Sequence, residues 1–253
     1  MKKYFLLAFI CSNFTFAQAL KRTLVWEENF NSKTLDSSFW NFDLGNGCPD
    51  LCGWGNNERQ IYSDKNHTFV DGNLVIQAKL DSEIFTSTKI TTKGKKQFQY
   101  GRFEARAKLP VGQGLWPAFW MLGSNISNVG WPKCGEIDIL EYVGREPHMV
   151  FTSLHTQDSH GETINTKKTK IDNIEEGFHV YAMDWTKDKI EFFVDGISVY
   201  TFQPSLKTED IWPYNQPFYL ILNLAVGGNF GGPEVDNKVF PQDFKIDYIK
   251  VYQ

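Results

Sequence analysis

Residues 102–109 read Arg102-Phe103-Glu104-Ala105-Arg106-Ala107-Lys108-Leu109, with an apolar residue at every second position. Side chains of a β-strand alternate between its faces, so a period of two marks a strand with one face buried and one in solvent. The signature recurs in Ile190-Glu191-Phe192-Phe193-Val194 and Ile197-Ser198-Val199-Tyr200, which flank Asp195-Gly196. That dipeptide suits the positive φ values a type I′ hairpin demands at both central positions. Leu74–Leu80, Phe178–Trp185, Phe218–Val226 and Phe244–Tyr252 predict further strands, and the turn-rich residues 157–176 and 203–216 predict surface loops. There is no clear amphipathic helix, internal repeat or low-complexity linker. Many strands joined by Gly, Asn and Asp turns predict an all-β sandwich in a single domain, residues 18–253.

The 253 residues suffice for one large domain, and the formal net charge is −4. That balance argues against nucleic acid or an anionic membrane as partner, since both call for a basic face. The aromatic share is 15%, with eight Trp, and part of that excess suits stacking on flat sugar faces. Met1-Lys2-Lys3, an apolar stretch to Phe16 and Thr15-Phe16-Ala17 predict a signal peptide over residues 1–17, cut before Gln18. The apolar run falls short of the roughly 20 residues a membrane span needs, so the expectation is export without an anchor. Nothing after Tyr252 suggests a further binding or sorting module. Cleavage removes Cys11 and leaves Cys48, Cys52 and Cys134. Export permits a disulfide. Cys48 and Cys52 flank Pro49-Asp50-Leu51 and suit a local staple, Cys134 is an alternative partner, and one thiol stays odd.

The chemistry concentrates in Gly135-Glu136-Ile137-Asp138-Ile139-Leu140-Glu141-Tyr142. Glu136 and Asp138 are two apart and share a strand face. Glu141, three beyond Asp138, would point the other way on a regular strand, and a β-bulge near Ile139-Leu140 would bring it back. Three carboxylates on one face repel each other, which is costly as decoration. They make sense in glycoside hydrolysis, where one carboxylic acid protonates the leaving oxygen and a second carboxylate attacks the anomeric carbon.

At Glu136-Ile137-Asp138-Ile139-Leu140-Glu141 the chain resembles glycoside hydrolase family 16, which includes laminarinases, lichenases, agarases and κ-carrageenases. The resemblance extends to Trp26–Phe30, Gly53–Glu58, Tyr100–Arg106, Trp116–Trp120, Phe178–Trp185, Leu222–Asn229 and Asp247–Tyr252. It implies a β-jelly-roll of two curved sheets with a concave cleft, and retention of anomeric configuration. By the same resemblance Glu136 takes the nucleophile position, Asp138 the assisting position and Glu141 the acid/base position. The extra residue between Asp138 and Glu141 matches the bulged subgroup of laminarinases, agarases and carrageenases.

Around the acids, Trp131 is the first candidate for sugar stacking, Trp116 the second, and Trp120 is assigned to the core. Asn57 is a candidate for sugar hydroxyls, with Arg59 and Arg106 as further cleft candidates. His155 resembles a family histidine beside the acids. The resemblance also implies a structural calcium ion on Glu28, the Gly72 carbonyl and Asp247, and no catalytic cofactor. The expected activity is an endo-acting β-1,3-glucanase, monomeric, with a laminarin-like β-glucan as partner. Mixed-linkage glucan or a galactan is the alternative substrate. A non-catalytic glucan-binding protein is disfavoured because both glutamates are present.

Overall fold

The computed structural model describes residues 22–253, and the leader expected over residues 1–17, with Cys11, lies outside them. Its strands are β1 (Leu24–Glu28), β2 (Asn41–Asp43), β3 (Ile61–Tyr62), β4 (His67–Val70), β5 (Asn73–Asp81), β6 (Ile84–Ser87), β7 (Lys89–Thr91) and β8 (Gly101–Lys108). They continue with β9 (Leu115–Gly123), β10 (Glu136–Glu141), β11 (Met149–His155), β12 (Thr166–Lys170), β13 (His179–Trp185), β14 (Ile190–Val194), β15 (Ile197–Phe202), β16 (Phe218–Val226) and β17 (Gln242–Tyr252). They form a β-jelly-roll of two sheets. One follows the order β15-β14-β13-β8-β17-β5-β6-β3, with β1 on β17 and β4 on β5; the other is β12-β11-β10-β9-β16-β7-β2.

Alternation decides what lies between the sheets. Phe103, Ala105 and Ala107 of β8 and Tyr181, Met183 and Trp185 of β13 point inward from the first sheet. Phe119 and Met121 of β9, Ile137, Ile139 and Leu140 of β10, and Leu220, Leu222 and Leu224 of β16 meet them from the second. Full burial of a large apolar side chain contributes about 1.5–3 kcal/mol. A one-residue slip of β10 would expose Ile137 and turn Glu136 and Asp138 into the core, so the register is strongly fixed. The Asp195-Gly196 hairpin has φ values of 49° and 79°, as its sequence predicts.

One expected loop is in part a strand. Thr166–Lys170, within residues 157–176, pairs with β11 at the sheet edge. Both its faces meet solvent or are lightly covered, so it carries no hydrophobic period, and its lysines suit an unpaired edge. Cys48 and Cys52 form a disulfide, and Cys134 is a free buried thiol. Among the described residues no helix is long and apolar enough to cross a membrane.

Candidate active site

β10 registers Asp138 against Trp120 of β9, then Leu140 against Phe119 and Glu141 against Ala118. Ile139 is therefore the extra residue of a bulge, and the break recurs against β11 between Asp138 and Glu141. Two consecutive apolar residues, Ile139 and Leu140, go into the core. Glu136, Asp138 and Glu141 consequently share the face turned away from it.

Each glutamate has its own indole donor. Trp131 Nε1–H donates to Glu136 Oε2 at 2.7 Å, and Trp116 Nε1–H donates to Glu141 Oε1 at 3.1 Å. Ser153 Oγ of β11 lies 3.4 Å from Glu141 Oε2. His155, opposite Glu136 on β11, places Nε2 3.2 Å from Asp138 Oδ2 and 3.9 Å from Glu136 Oε1. Tyr214 OH donates toward the main-chain oxygens of both Glu136 and His155, at 3.4 and 3.2 Å, and ties the two strands at this point.

Burial lifts all three carboxyls above the ordinary carboxylate range, because a charge in a poorly hydrated site is costly. For Glu136 and Glu141 the negative charge of Asp138 adds to the effect. His155, the Trp131 N–H and Lys89 pull Glu136 back toward ionisation. Glu141 is held well above the usual range by burial and by both neighbouring acids. Phe230 helps to dry that side, packing edge-on against Trp116 at 5.4 Å and Phe151 at 5.0 Å. All three carboxyls are therefore raised, and Glu141, with both acidic neighbours set against its charge, is suited to hold the proton that an acid/base residue must deliver.

The remaining sequence candidates are distributed unevenly. Trp131 is 46% exposed, with its ring 6.0 Å from that of His155. Trp116 is half-buried and aims its N–H at the acid. Asn57 sits on the Gly53–Glu58 loop at φ 56° and donates to Asn229 Oδ1 at 2.8 Å. Arg59 donates to the Pro233 carbonyl and packs on Gly227, so it clamps two loops together. Arg106 is not in the cleft. It lies on β8 of the other sheet, outward between core residues Ala105 and Ala107, and pairs with Asp247 beneath the Phe178 ring. The half-buried pattern that identifies its strand also turns it away from the acids. Trp120 lies outside the core between the sheets, half-buried against the smaller cluster of Leu122, Cys134, Tyr219 and Ile221. It is four residues from Trp116 on one strand, hence on the same face, and registers with Asp138.

Trp120 belongs to a network that joins the cleft floor to the loop. Its Nε1–H donates to Asn223 Oδ1 at 2.7 Å, Asn223 Nδ2 donates to Tyr62 OH at 3.1 Å, and Tyr62 OH donates to Glu58 Oε2 at 3.2 Å. The Lys89 ammonium lies 4.2 Å from the Trp54 ring centroid, 5.2 Å from that of Trp120 and 3.4 Å from Asp43 Oδ2. Sequence reasoning assigned no role to Trp54, Tyr62, Lys89 or Asn223. Asn223 had a signal, a lone amide inside the apolar run Phe218–Val226. Lys89 had none.

The segments proposed for calcium neighbour one another. Glu28 registers with Ile249, two residues from Asp247. A Cβ on Gly72 would lie 2.9 Å from Asn31 Oδ1, which places Gly72 against the turn after β1. Glu28 already accepts from Phe30 N and Trp40 Nε1, both at 3.1 Å, so an ion would draw on its remaining lone pairs.

The sequence pattern described as "Glycosyl hydrolases family 16" matches residues 55–250. A crystal structure of laminarinase from Flavobacterium sp. UMI-01 superposes with a TM-score of 0.90 at 72% identity, covering 91% of this chain and 100% of that one. The beta-glucanase of Rhodothermus marinus is 38% identical over 91% of this chain and 85% of its own length. The glucan endo-1,3-beta-glucosidase of Cryptopygus antarcticus is 36% identical, covering 90% of each.

Proposed function

The chain belongs to glycosyl hydrolases family 16, and from that premise we propose that it cuts internal β-1,3 linkages of a laminarin-like glucan using Glu136 as nucleophile and Glu141 as acid/base. The bulged strand β10 carries the reading, since it brings both glutamates to one face, each with a separate indole donor. The laminarinase likeness over nearly the whole chain supports the substrate class.

In the first step Glu136 attacks the anomeric carbon while Glu141 gives its proton to the glycosidic oxygen. The bond to the leaving sugar breaks and a glycosyl ester forms on Glu136. In the second step Glu141 takes a proton from water, which displaces Glu136 and restores the starting configuration. Asp138 is the more enclosed of the neighbouring pair, with 4% of its side chain exposed against 17% for Glu136. A proton shared by the two therefore rests on Asp138, whose O–H then supports the Glu136 anion. Lys89, a cation at this face, is already held by Asp43 and two indoles, which speaks against sulfated galactans. A product profile on laminarin, lichenan, agarose and carrageenan tests the substrate. Laminarin-derived oligosaccharides as the main product support β-1,3 cleavage, and faster release from agarose or carrageenan overturns it.

Trp131 is read as a sugar platform that also serves the nucleophile. Trp131→Ala should raise KM for glucan and lower kcat, with little change in melting temperature because the ring is exposed. A stacked aromatic contributes about 0.5–1.5 kcal/mol beyond its area burial. Trp131→Phe keeps a ring but no N–H, so it should spare KM and still lower kcat. A large drop in melting temperature with unchanged kinetics would assign Trp131 to structure instead.

Residues 1–17 are read as an export signal, with the mature enzyme acting outside the cytoplasm as a monomer. A calcium ion held by Glu28, the Gly72 carbonyl and Asp247 would brace β1, the turn before β5 and β17. Binding only the folded form stabilises it by mass action. EDTA should then lower the unfolding temperature without slowing turnover well below it. No thermal shift with chelator or added calcium would remove the ion from this account.

A further inference from the structure

We propose that Glu136, Asp138 and His155 form a site for a zinc-class divalent ion, and that its occupation blocks the cleft to glucan. Its inhibitory consequence rests on the catalytic reading of Glu136, whereas the binding itself does not.

The geometry is specific. Glu136, Asp138 and His155 each offer a ligand atom, all within 4.8 Å of one another, the one such group of acids and histidines among the described residues. His155 Nε2 is 3.2 Å from Asp138 Oδ2 and 3.9 Å from Glu136 Oε1. Ligands of a tetrahedral zinc ion at bond lengths near 2.0–2.1 Å stand about 3.3 Å apart, so only Glu136 needs to draw in. Trp131 holds Glu136 by Oε2 and leaves Oε1 on the His155 side. The rotation of the carboxylate is therefore already fixed by a group outside the site.

A second observation points to a cation. Asp138 is 3% exposed, and its Oδ2 accepts no hydrogen bond from any described residue, although His155 Nε2 stands beside it. A buried carboxylate oxygen without a donor costs free energy. Electron pairs of one imidazole nitrogen and two carboxylates converge on one small volume. The proton that rests on Asp138 relieves part of that convergence, and a metal ion that displaces it engages all three groups at once.

The donor set selects the ion. Imidazole with carboxylates suits zinc, copper or nickel, whereas calcium and magnesium favour all-oxygen sites. The three groups lie on the face that binds substrate, so the fourth ligand would be a water or a sugar hydroxyl. An occupied site would tie up the attacking oxygen of Glu136. The block would reverse on chelation and differ from the structural role proposed for calcium.

The probe is Zn2+ as its chloride in chelator-free buffer, measured by calorimetry and by inhibition of laminarin hydrolysis. Expected are inhibition competitive with laminarin, recovery with EDTA, and no effect of Ca2+ or Mg2+ at the same concentration. His155→Asn should weaken Zn2+ binding by at least about tenfold, since even groups outside the first coordination sphere are worth that much. A wild-type crystal soaked in Zn2+ should show anomalous density between the three side chains, which decides the matter if His155→Asn fails to fold. Anomalous density at other histidines only, or equal Zn2+ affinity in folded His155→Asn, overturns the site. Zinc in the site of a protein that hydrolyses no glucan would overturn the proposed function and leave the site standing.

Discussion

Glu136→Gln is expected to lower laminarin hydrolysis by on the order of 10^4-fold or more while the fold survives. The amide is nearly isosteric and keeps an oxygen for the Trp131 N–H, which now reaches Glu136 at 2.7 Å. What it loses is the electron pair that forms the glycosyl ester. Stability should hold or rise. The folded-state pKa of Glu136 lies above its ordinary value, because of burial and the charge of Asp138. A group raised in this way favours the fold below its unfolded pKa and loses that benefit as pH climbs through the folded one. At neutral and alkaline pH the wild type therefore carries a carboxylate it must keep partly charged at a cost, and Gln removes that cost. Thermal melts at pH 5 and pH 9 should show the variant gaining on the wild type at the higher pH. A smaller side chain tests the same role chemically. In Glu136→Ala, azide can enter the vacated space and attack an activated β-glycoside from the nucleophile's side, giving an α-glycosyl azide. Near-wild-type hydrolysis, or an azide product of β configuration, would remove Glu136 from the nucleophile's place.

How much of this was visible in the sequence depends on which physical signal each residue left. Strands with one buried face announced themselves, because core contact imposes a period of two. That period also contained the bulge, as a mismatch between the two-residue step to Asp138 and the three-residue step to Glu141. Strands without a one-sided core left no such trace, and Thr166–Lys170 was read as loop for that reason. At Trp120 the alternation itself was misapplied, since a residue four positions from Trp116 on one strand shares its face and could not be assigned to the core by that period. Arg106 shows the opposite failure, since strand pattern fixes which face a residue takes but not which of two sheets the strand joins. Lys89 and Tyr62 meet Trp54, Asn223 and Glu58 only through pairing of distant strands, β7 on β16 and the loop over both. No local pattern encodes a contact of that kind. The donors on the two glutamates were half legible, since Trp116 and Trp131 were singled out for their rings while the structure assigns their N–H groups a second task.

Glu141→Ala should separate substrates by leaving group, and this is the sharper test of the division between the two glutamates. General acid catalysis contributes typically 10²–10⁴-fold, and the need for it grows with the basicity of the departing oxygen. A sugar alkoxide leaves poorly, so hydrolysis of laminarin should fall by about that factor or more. A dinitrophenolate leaves without help, so formation of the glycosyl ester from such a substrate should be nearly unaffected. Glu141 also acts as base in the second step, so the ester should accumulate and appear as a burst. Azide needs no general base and should relieve the block. It would attack the ester from the face opposite Glu136 and give a β-glycosyl azide, the opposite anomer from that expected of Glu136→Ala. The pH profile must change in step. Glu141 donates only while protonated, and burial with two acidic neighbours holds its pKa well above the ordinary range. Wild-type turnover of laminarin should therefore decline as pH rises through that pKa. In Glu141→Ala the alkaline limb should vanish for the aryl substrate, because no proton is being given. Equal losses on both substrate classes, or an unchanged alkaline limb, would mean that another group supplies the proton.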